Sequence, residues 1–132
     1  MNESTIRVRS YELDSFHHVN HAVFLNYFEA ARFETLESVG FDPAELARRE
    51  WGVHVVRVEV DYRREVRLGD RLTIRTRTEE LRNTSMILEQ EAVNGSRENE
   101  VSASARVVIV WVGPDGRPMR IPEEVRDAFA PS

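Results

Sequence analysis

From His21 to Val39 the chain runs for about 19 residues without glycine or proline, with Asn20 placed before it as an N-cap and Gly40 after it as a helix-ending residue. No other feature constrains the fold as strongly. Such a helix is long against the roughly 11–12 residues of an average globular helix. Its first half carries Ala22, Val23, Phe24, Leu25, Tyr27, Phe28, Ala30 and Ala31, so it is apolar on nearly every side. A helix of that kind is expected to be enclosed rather than laid on a surface.

The flanking segments show what can enclose it. Ile6, Val8 and Ser10 alternate with Arg7 and Arg9, which predicts a first strand over 5–11. Asp42, Pro43 and Glu45 form the N-cap, N1 and N3 set of a short second helix to about Glu50. After Gly52 the pattern has period two: Val56, Val58, Val60 and Tyr62 share one face, with Arg57, Glu59 and Asp61 opposite. Leu68-Gly69-Asp70 turns the chain into a third strand, where Leu72, Ile74, Thr76 and Thr78 alternate with Arg71, Thr73, Arg75 and Arg77. Asn83 and Thr84 break it. Met86, Leu88 and Gln90 begin a fourth strand, Asn94-Gly95 is a hairpin-type turn, and the last strand runs from about Glu100 to Val112. Pro122 to Phe129 is expected to be a short terminal helix.

Strand, long helix, then four strands with short connections predicts an α+β architecture: a curved antiparallel sheet wrapped around one long central helix, as a single domain over 1–132. The last strand is apolar on both faces from Val107 to Val112, and a small sheet leaves much of itself uncovered. Both features predict a homo-oligomer in which the sheet continues across a two-fold axis and loses an edge.

Composition removes several function classes. With 41% hydrophobic and 31% charged residues the chain suits a globular domain with a real core. Its longest apolar run falls far short of the roughly 18 residues of a membrane span, and MNESTIRVRS has no apolar leader core, so a cytoplasmic location is expected. The absence of cysteine excludes disulfides, thiolate nucleophiles and Cys-based zinc sites. All 18 basic residues are arginine, which excludes a Walker-A lysine and Schiff-base chemistry. Net charge is -5, yet residues 57–82 hold 8 arginines against 6 acids. A mildly basic middle between acidic ends lacks the coherent basic face of a nucleic-acid binder. It suits a small phosphorylated ligand, and equally strands with arginines on their solvent side.

Functional groups are densest at the strand-to-helix junction, where Asp14, His17, His18, Asn20 and His21 fall together. A helix N-terminus presents unpaired N–H groups and partial positive charge, which would polarise an acyl carbonyl and stabilise its oxyanion. Asp14, on a loop folding back over that terminus, could serve as base or nucleophile, or could simply cap a turn. The histidines have helical spacings, but no third ligand accompanies them and HExxH is absent, so neither a metal nor a cofactor is expected. Glu29 and Arg32, at i and i+3, are expected to form a structural ion pair, with a second catalytic carboxylate as the lesser reading. Trp51 and Trp111 read as core or ligand-pocket walls.

The stretch Asp14 to Arg32, DSFHHVNHAVFLNYFEAAR, resembles the D-x-x-G-H-V-N-N-x-x-Y-x-x-Y-x-E-x-x-R signature of hot-dog-fold thioesterases of the 4-hydroxybenzoyl-CoA thioesterase-like group. Asp14, His18, Val19, Asn20, Tyr27, Glu29 and Arg32 match it directly, and VEVDYRREVRLGD, LRNTS, VVIVWV and IPEEV follow in the family's order. The resemblance implies a hot-dog fold, dimers or tetramers, and hydrolysis of acyl-CoA thioesters. It places Asp14 as nucleophile or general base and His21 where a backbone N–H meets the thioester carbonyl, with His18 and Asn20 beside them. A histidine also stands at the His21 position in acyl-CoA thioesterases of the Tol-Pal type. Tyr27, with Arg82 and Ser85 of LRNTS, become substrate-binding candidates, the CoA phosphates lying near the arginine-rich middle strands. His17 departs from the signature's glycine and His21 from its second asparagine. The H-F-P motif of dehydratases on the same fold is absent. An acyl-acyl-carrier-protein thioesterase and a non-catalytic acyl-CoA-binding module are the alternatives, and retention of Asp14 speaks against the second.

Overall fold

The structure is a computed structural model that describes residues 1–131. Strand β1 (Asn2–Arg7) leads into a single 3₁₀ turn at Ser10–Glu12 and then helix α1 (His21–Ser38). Helix α2 (Pro43–Arg48) precedes strands β2 (Gly52–Tyr62), β3 (Arg71–Leu81), β4 (Ser85–Asn94) and β5 (Glu100–Val112), and helix α3 (Glu123–Ala128) follows. The strands form one five-stranded sheet in the order β1-β3-β4-β5-β2, antiparallel throughout. This is the expected α+β hot-dog arrangement.

The first strand ends earlier than its alternation predicts. Glu12 accepts hydrogen bonds from the Arg9 N–H at 2.8 Å and the Arg9 guanidinium at 2.7 Å, and these local bonds curl the chain into the 3₁₀ turn. Both helix caps are as read: Asn20 Oδ1 accepts from the Ala22 N–H, Asp42 Oδ1 from the Glu45 N–H, and Gly40 takes φ 93° past the end of α1.

Helix α1 lays Phe24, Tyr27, Phe28, Ala31, Thr35 and Leu36 on the inner face of the sheet. There they meet buried Leu72 and Ile74 of β3, Met86, Leu88 and Ala92 of β4, and Ala105, Val107 and Ile109 of β5. Burying one residue such as Phe28, which is fully enclosed, contributes about 1.5–3 kcal/mol. The helix is not enclosed on every side, however. The sheet curls over one face only, and Leu25 and Phe33 are each 43% exposed.

One reading of the strands is corrected. The register of β2 on β5 slips between Val55 and Arg57, so Val56 is the extra residue of a bulge. Val55, not Val56, therefore joins Val58, Val60 and Tyr62 on the inner face, opposite Ile109, Val107, Ala105 and Ala103. The doubly apolar β5 is an interior strand. It lies between β4 and β2, and its outward Val108 and Val110 are half-buried by neighbouring strands. The open apolar edge belongs to β2, where Val55, Val56, Val58 and Tyr62 are 46%, 60%, 37% and 48% exposed. No helix among the described residues is long and apolar enough to cross a membrane.

Candidate active site

The loop between the 3₁₀ turn and α1 is built almost wholly from bonds between near neighbours. Asp14 Oδ1 accepts from the N–H of Phe16 at 2.9 Å and of His18 at 3.2 Å, an Asx-type turn. The Asp14 N–H donates to the His18 carbonyl at 2.8 Å, and Leu13 and Val19 pair as an isolated bridge. His17, in the position of the signature's glycine, sits at φ 65°, a left-handed conformation that asparagine and glycine adopt more readily. Among the described residues the second oxygen of Asp14 makes no hydrogen bond, so the turn consumes one carboxylate oxygen and leaves the other open.

This loop is tied to the body of the protein from below. Glu12, 6% exposed, also accepts from the Tyr27 hydroxyl at 2.9 Å, and its carbonyl accepts from the Asn20 N–H at 2.9 Å. Burial alone would raise the Glu12 carboxyl, but the hydrogen bonds from Arg9 and Tyr27 outweigh it and hold the group below the usual glutamate range. Burial, reinforced by the bond to Glu12, pushes the Tyr27 phenol well above its ordinary value. Across the loop, Val19 donates to the Val66 carbonyl, and His18 Nε2 lies 2.6 Å from Glu65 Oε2.

Asp14, His18, His21, Phe24, Tyr62, Arg63, Arg64 and Glu65 surround one cleft of about 280 Å³. On one wall the Tyr62 hydroxyl donates to the His21 carbonyl at 2.7 Å, and the Tyr62 ring packs edge-on against Phe24. Asn20 Oδ1 occupies the Ala22 N–H and the Asn20 carbonyl occupies that of Val23. The His21 N–H, first in the helix, has no acceptor among the described residues. Asp14, with an open carboxylate oxygen, and His21, with an unsatisfied helix-terminal N–H, thus line the same cleft. That pairing can activate a nucleophile and stabilise an oxyanion.

Of the sequence-predicted residues, Asp14, His18 and His21 line this cleft and Asn20 caps the helix beside it. Tyr27 does not reach it: the side chain is 3% exposed and its hydroxyl is engaged with Glu12. Arg82 and Ser85 are also elsewhere in the chain. They close the β3–β4 turn, on the sheet end where Val55 pairs with Ile109, whereas the cleft lies at the end where Tyr62 pairs with Ala103. Most of the basic middle answers to the solvent-face reading, with Arg57 on Glu59, Arg75 on Glu3 and Arg77 on Glu89. Arg63 and Arg64 are the exceptions that border the cleft. Their adjacent positions after Tyr62, at the end of an alternating strand, were the available signal. The expected Glu29–Arg32 ion pair does not form. Arg32 bonds to Gln90 instead, and the two residues border a second, mostly apolar cavity of about 170 Å³ beside the later turns of α1.

Comparison with known proteins places the chain in a family. Residues 8–129 match the thioesterase-like superfamily, and the chain belongs to it. The long-chain acyl-CoA thioesterase FadM of Escherichia coli strain K12 is 34% identical over 110 residues, covering 83% of this chain and 82% of that protein. The chloroplastic acyl-acyl carrier protein thioesterase ATL3 of Arabidopsis thaliana is 31% identical over 127 residues, which is 96% of this chain but 66% of that protein. The chain therefore spans just under two thirds of ATL3. Among solved structures, a gentisyl-coenzyme A thioesterase superposes with a TM-score of 0.88 at 26% identity, covering 98% of this chain and all of that one.

Proposed function

We propose that the protein hydrolyses acyl-CoA thioesters to the free acid and CoA in the cleft at the start of α1. The observation that carries this reading is that Asp14, with one carboxylate oxygen free, and His21, whose N–H is unsatisfied, line the same cleft. A thioester carbonyl seated on that N–H is polarised by the helix terminus, and the oxyanion formed on attack is held there. Asp14 either attacks the carbonyl carbon, giving an acyl-aspartyl anhydride that water then opens, or removes a proton from the attacking water. In both routes the C–S bond breaks and the CoA thiolate leaves and takes up a proton. The Glu12–Tyr27 bond and the Asx turn hold the carboxylate in place, and His18 with Glu65 braces the opposite wall. Arg63 and Arg64, beside the cleft in an acidic protein, are the natural contacts for the CoA phosphates.

Two copies are proposed to pair along β2. An edge strand with exposed Val55, Val56 and Val58 is otherwise a site of uncontrolled strand addition. Antiparallel pairing of β2 with its copy would also bring the partner's Arg82 end of the sheet toward this protomer's cleft, which reconciles that candidate with its distance within one chain.

The test is thiol release from a panel of acyl-CoAs, with inhibition by free CoA at low and high salt. Release of CoA, with salt-sensitive inhibition, is expected. The match to ATL3 favours one second reading, a carrier-protein thiol. Turnover of acyl-acyl carrier protein without binding of free CoA would select it.

A further inference from the structure

The cavity beside the later turns of α1 is walled by hydrocarbon from Val55, Leu88, Ile109 and Phe129, interrupted only by Glu29 and Arg32 on the helix. Arg32 is half-buried, and its single hydrogen bond runs from Nη1 to Gln90 Oε1 at 3.1 Å. Gln90 is fully buried and cannot turn, because its Nε2 donates at 3.0 Å to both the Phe28 carbonyl and the Thr76 hydroxyl. The guanidinium is thereby pinned in place with most of its five N–H donors unused. Among the described residues neither Arg32 nor Glu29 enters an ion pair, and Glu29 makes no side-chain hydrogen bond. Burial lowers the Arg32 pKa, an effect that Glu29 only partly offsets.

Arg32, half-buried with most of its donors unused, favours a ligand group that accepts from it, and the exposed Glu29 bordering the same cavity offers an acceptor to that group. A hydroxyl suits both, accepting from Arg32 and donating to Glu29. A carboxylate would meet Arg32 but be repelled by Glu29, and a plain hydrocarbon end would leave the half-buried Arg32 further desolvated with its donors unpaired.

We propose that this cavity receives the far end of the substrate's acyl group and that Arg32 and Glu29 select an acyl group carrying a hydroxyl there. The proposal rests on the reading of Asp14 and the His21 N–H as the thioester site. Arg32 lies eleven residues along α1 from His21, about 16 Å at 1.5 Å per residue. Its side chain leans back toward the helix start, so an extended chain at about 1.2 Å per bond reaches it in roughly ten bonds.

The experiment compares kcat/KM of the full chain on decanoyl-CoA, 10-hydroxydecanoyl-CoA and the CoA monothioester of decanedioic acid. The hydroxylated substrate is expected to lead the other two at least tenfold, mainly through KM. Arg32→Met and Glu29→Gln are each expected to narrow that lead to within threefold by weakening the hydroxylated substrate. Because Glu29 is exposed, its variant keeps the test decisive if Arg32→Met does not fold. Equal rates on all three, a preference for the dicarboxylate, or a lead unchanged in Glu29→Gln overturns the proposal. Should no thioester be cleaved, the hydrolase reading has failed. Selection is then read from calorimetric binding of 10-hydroxydecanoate against decanoate, where equal affinity overturns it.

Discussion

At the start of α1 the cleft is walled by Asp14, His18, His21, Tyr62, Arg63 and Arg64, whereas a few turns later the cavity is walled by Val55, Leu88, Ile109 and Phe129 with only Glu29 and Arg32 polar. In the first, the loop that carries Asp14 is held by bonds spanning two to four residues, as in Asp14 to Phe16 and His18 or Asn20 to Ala22, while the facing wall at Tyr62 to Glu65 comes from the end of β2 and the residues after it. The second is assembled across the chain, with Arg32 held by Gln90 some 58 residues away. A reacting carboxylate must keep one geometry, and short-range bonds hold it cheaply. A cavity that accepts a hydrocarbon chain needs surface from several strands, which only the folded sheet can bring together.

The sharpest way to break this contrast is to remove the charge from the cleft alone. Asp14→Asn keeps the Oδ1 that accepts from Phe16 and His18, so its melting temperature should stay near wild type while turnover falls by about a hundredfold to ten-thousandfold. Turnover within a few-fold of wild type in a well-folded Asp14→Asn protein would dismiss Asp14. Binding of the substrate is expected to survive and is measurable by calorimetry.

Glu12→Ala attacks the support beneath the cleft. It strands the buried Tyr27 hydroxyl and frees Arg9, at an expected loss of about 2–3 kcal/mol in chemical denaturation. Turnover should fall with loop order. The Glu12 carboxyl titrates below its usual value in the folded protein. Its stabilisation is therefore fully present above the unfolded pKa, about 4.3, and disappears as pH falls through the lower folded value. Glu12→Gln should flatten that part of the acid limb of a stability–pH curve. An acid limb unchanged from wild type would show that Glu12 does not contribute to it.

Val56→Lys puts a charge on the open edge beside the bulge, the natural device against strand pairing. At least a tenfold weaker self-association, about 1.4 kcal/mol, is expected in sedimentation. An unchanged dimer would move the interface off β2. The smallest effect belongs to His17→Gly. Relief of the left-handed strain at φ 65° is largely offset by the greater unfolded-state freedom of glycine, so a gain below about 1 kcal/mol is expected from thermal melts.

What could be read in the sequence is what neighbouring residues decide among themselves. The bounds of α1, its Asn20 cap, the Asp42–Glu45 cap of α2 and the turn at Asp14 depend on bonds across a few residues, so their residue types announce them. The period-two runs announced the strands for the same reason. The sequence did not disclose that Val56 would be skipped by a bulge or that β2 rather than the more apolar β5 would lie at the edge. Nor did it disclose that Tyr27 would spend its hydroxyl on Glu12, or that Arg32 would turn from its i−3 neighbour to Gln90. Strand order, register and buried partners are settled by contacts between segments dozens of residues apart. The side chain that wins a buried position does so by completing hydrogen bonds and packing there, and period or propensity along the chain holds no record of that competition.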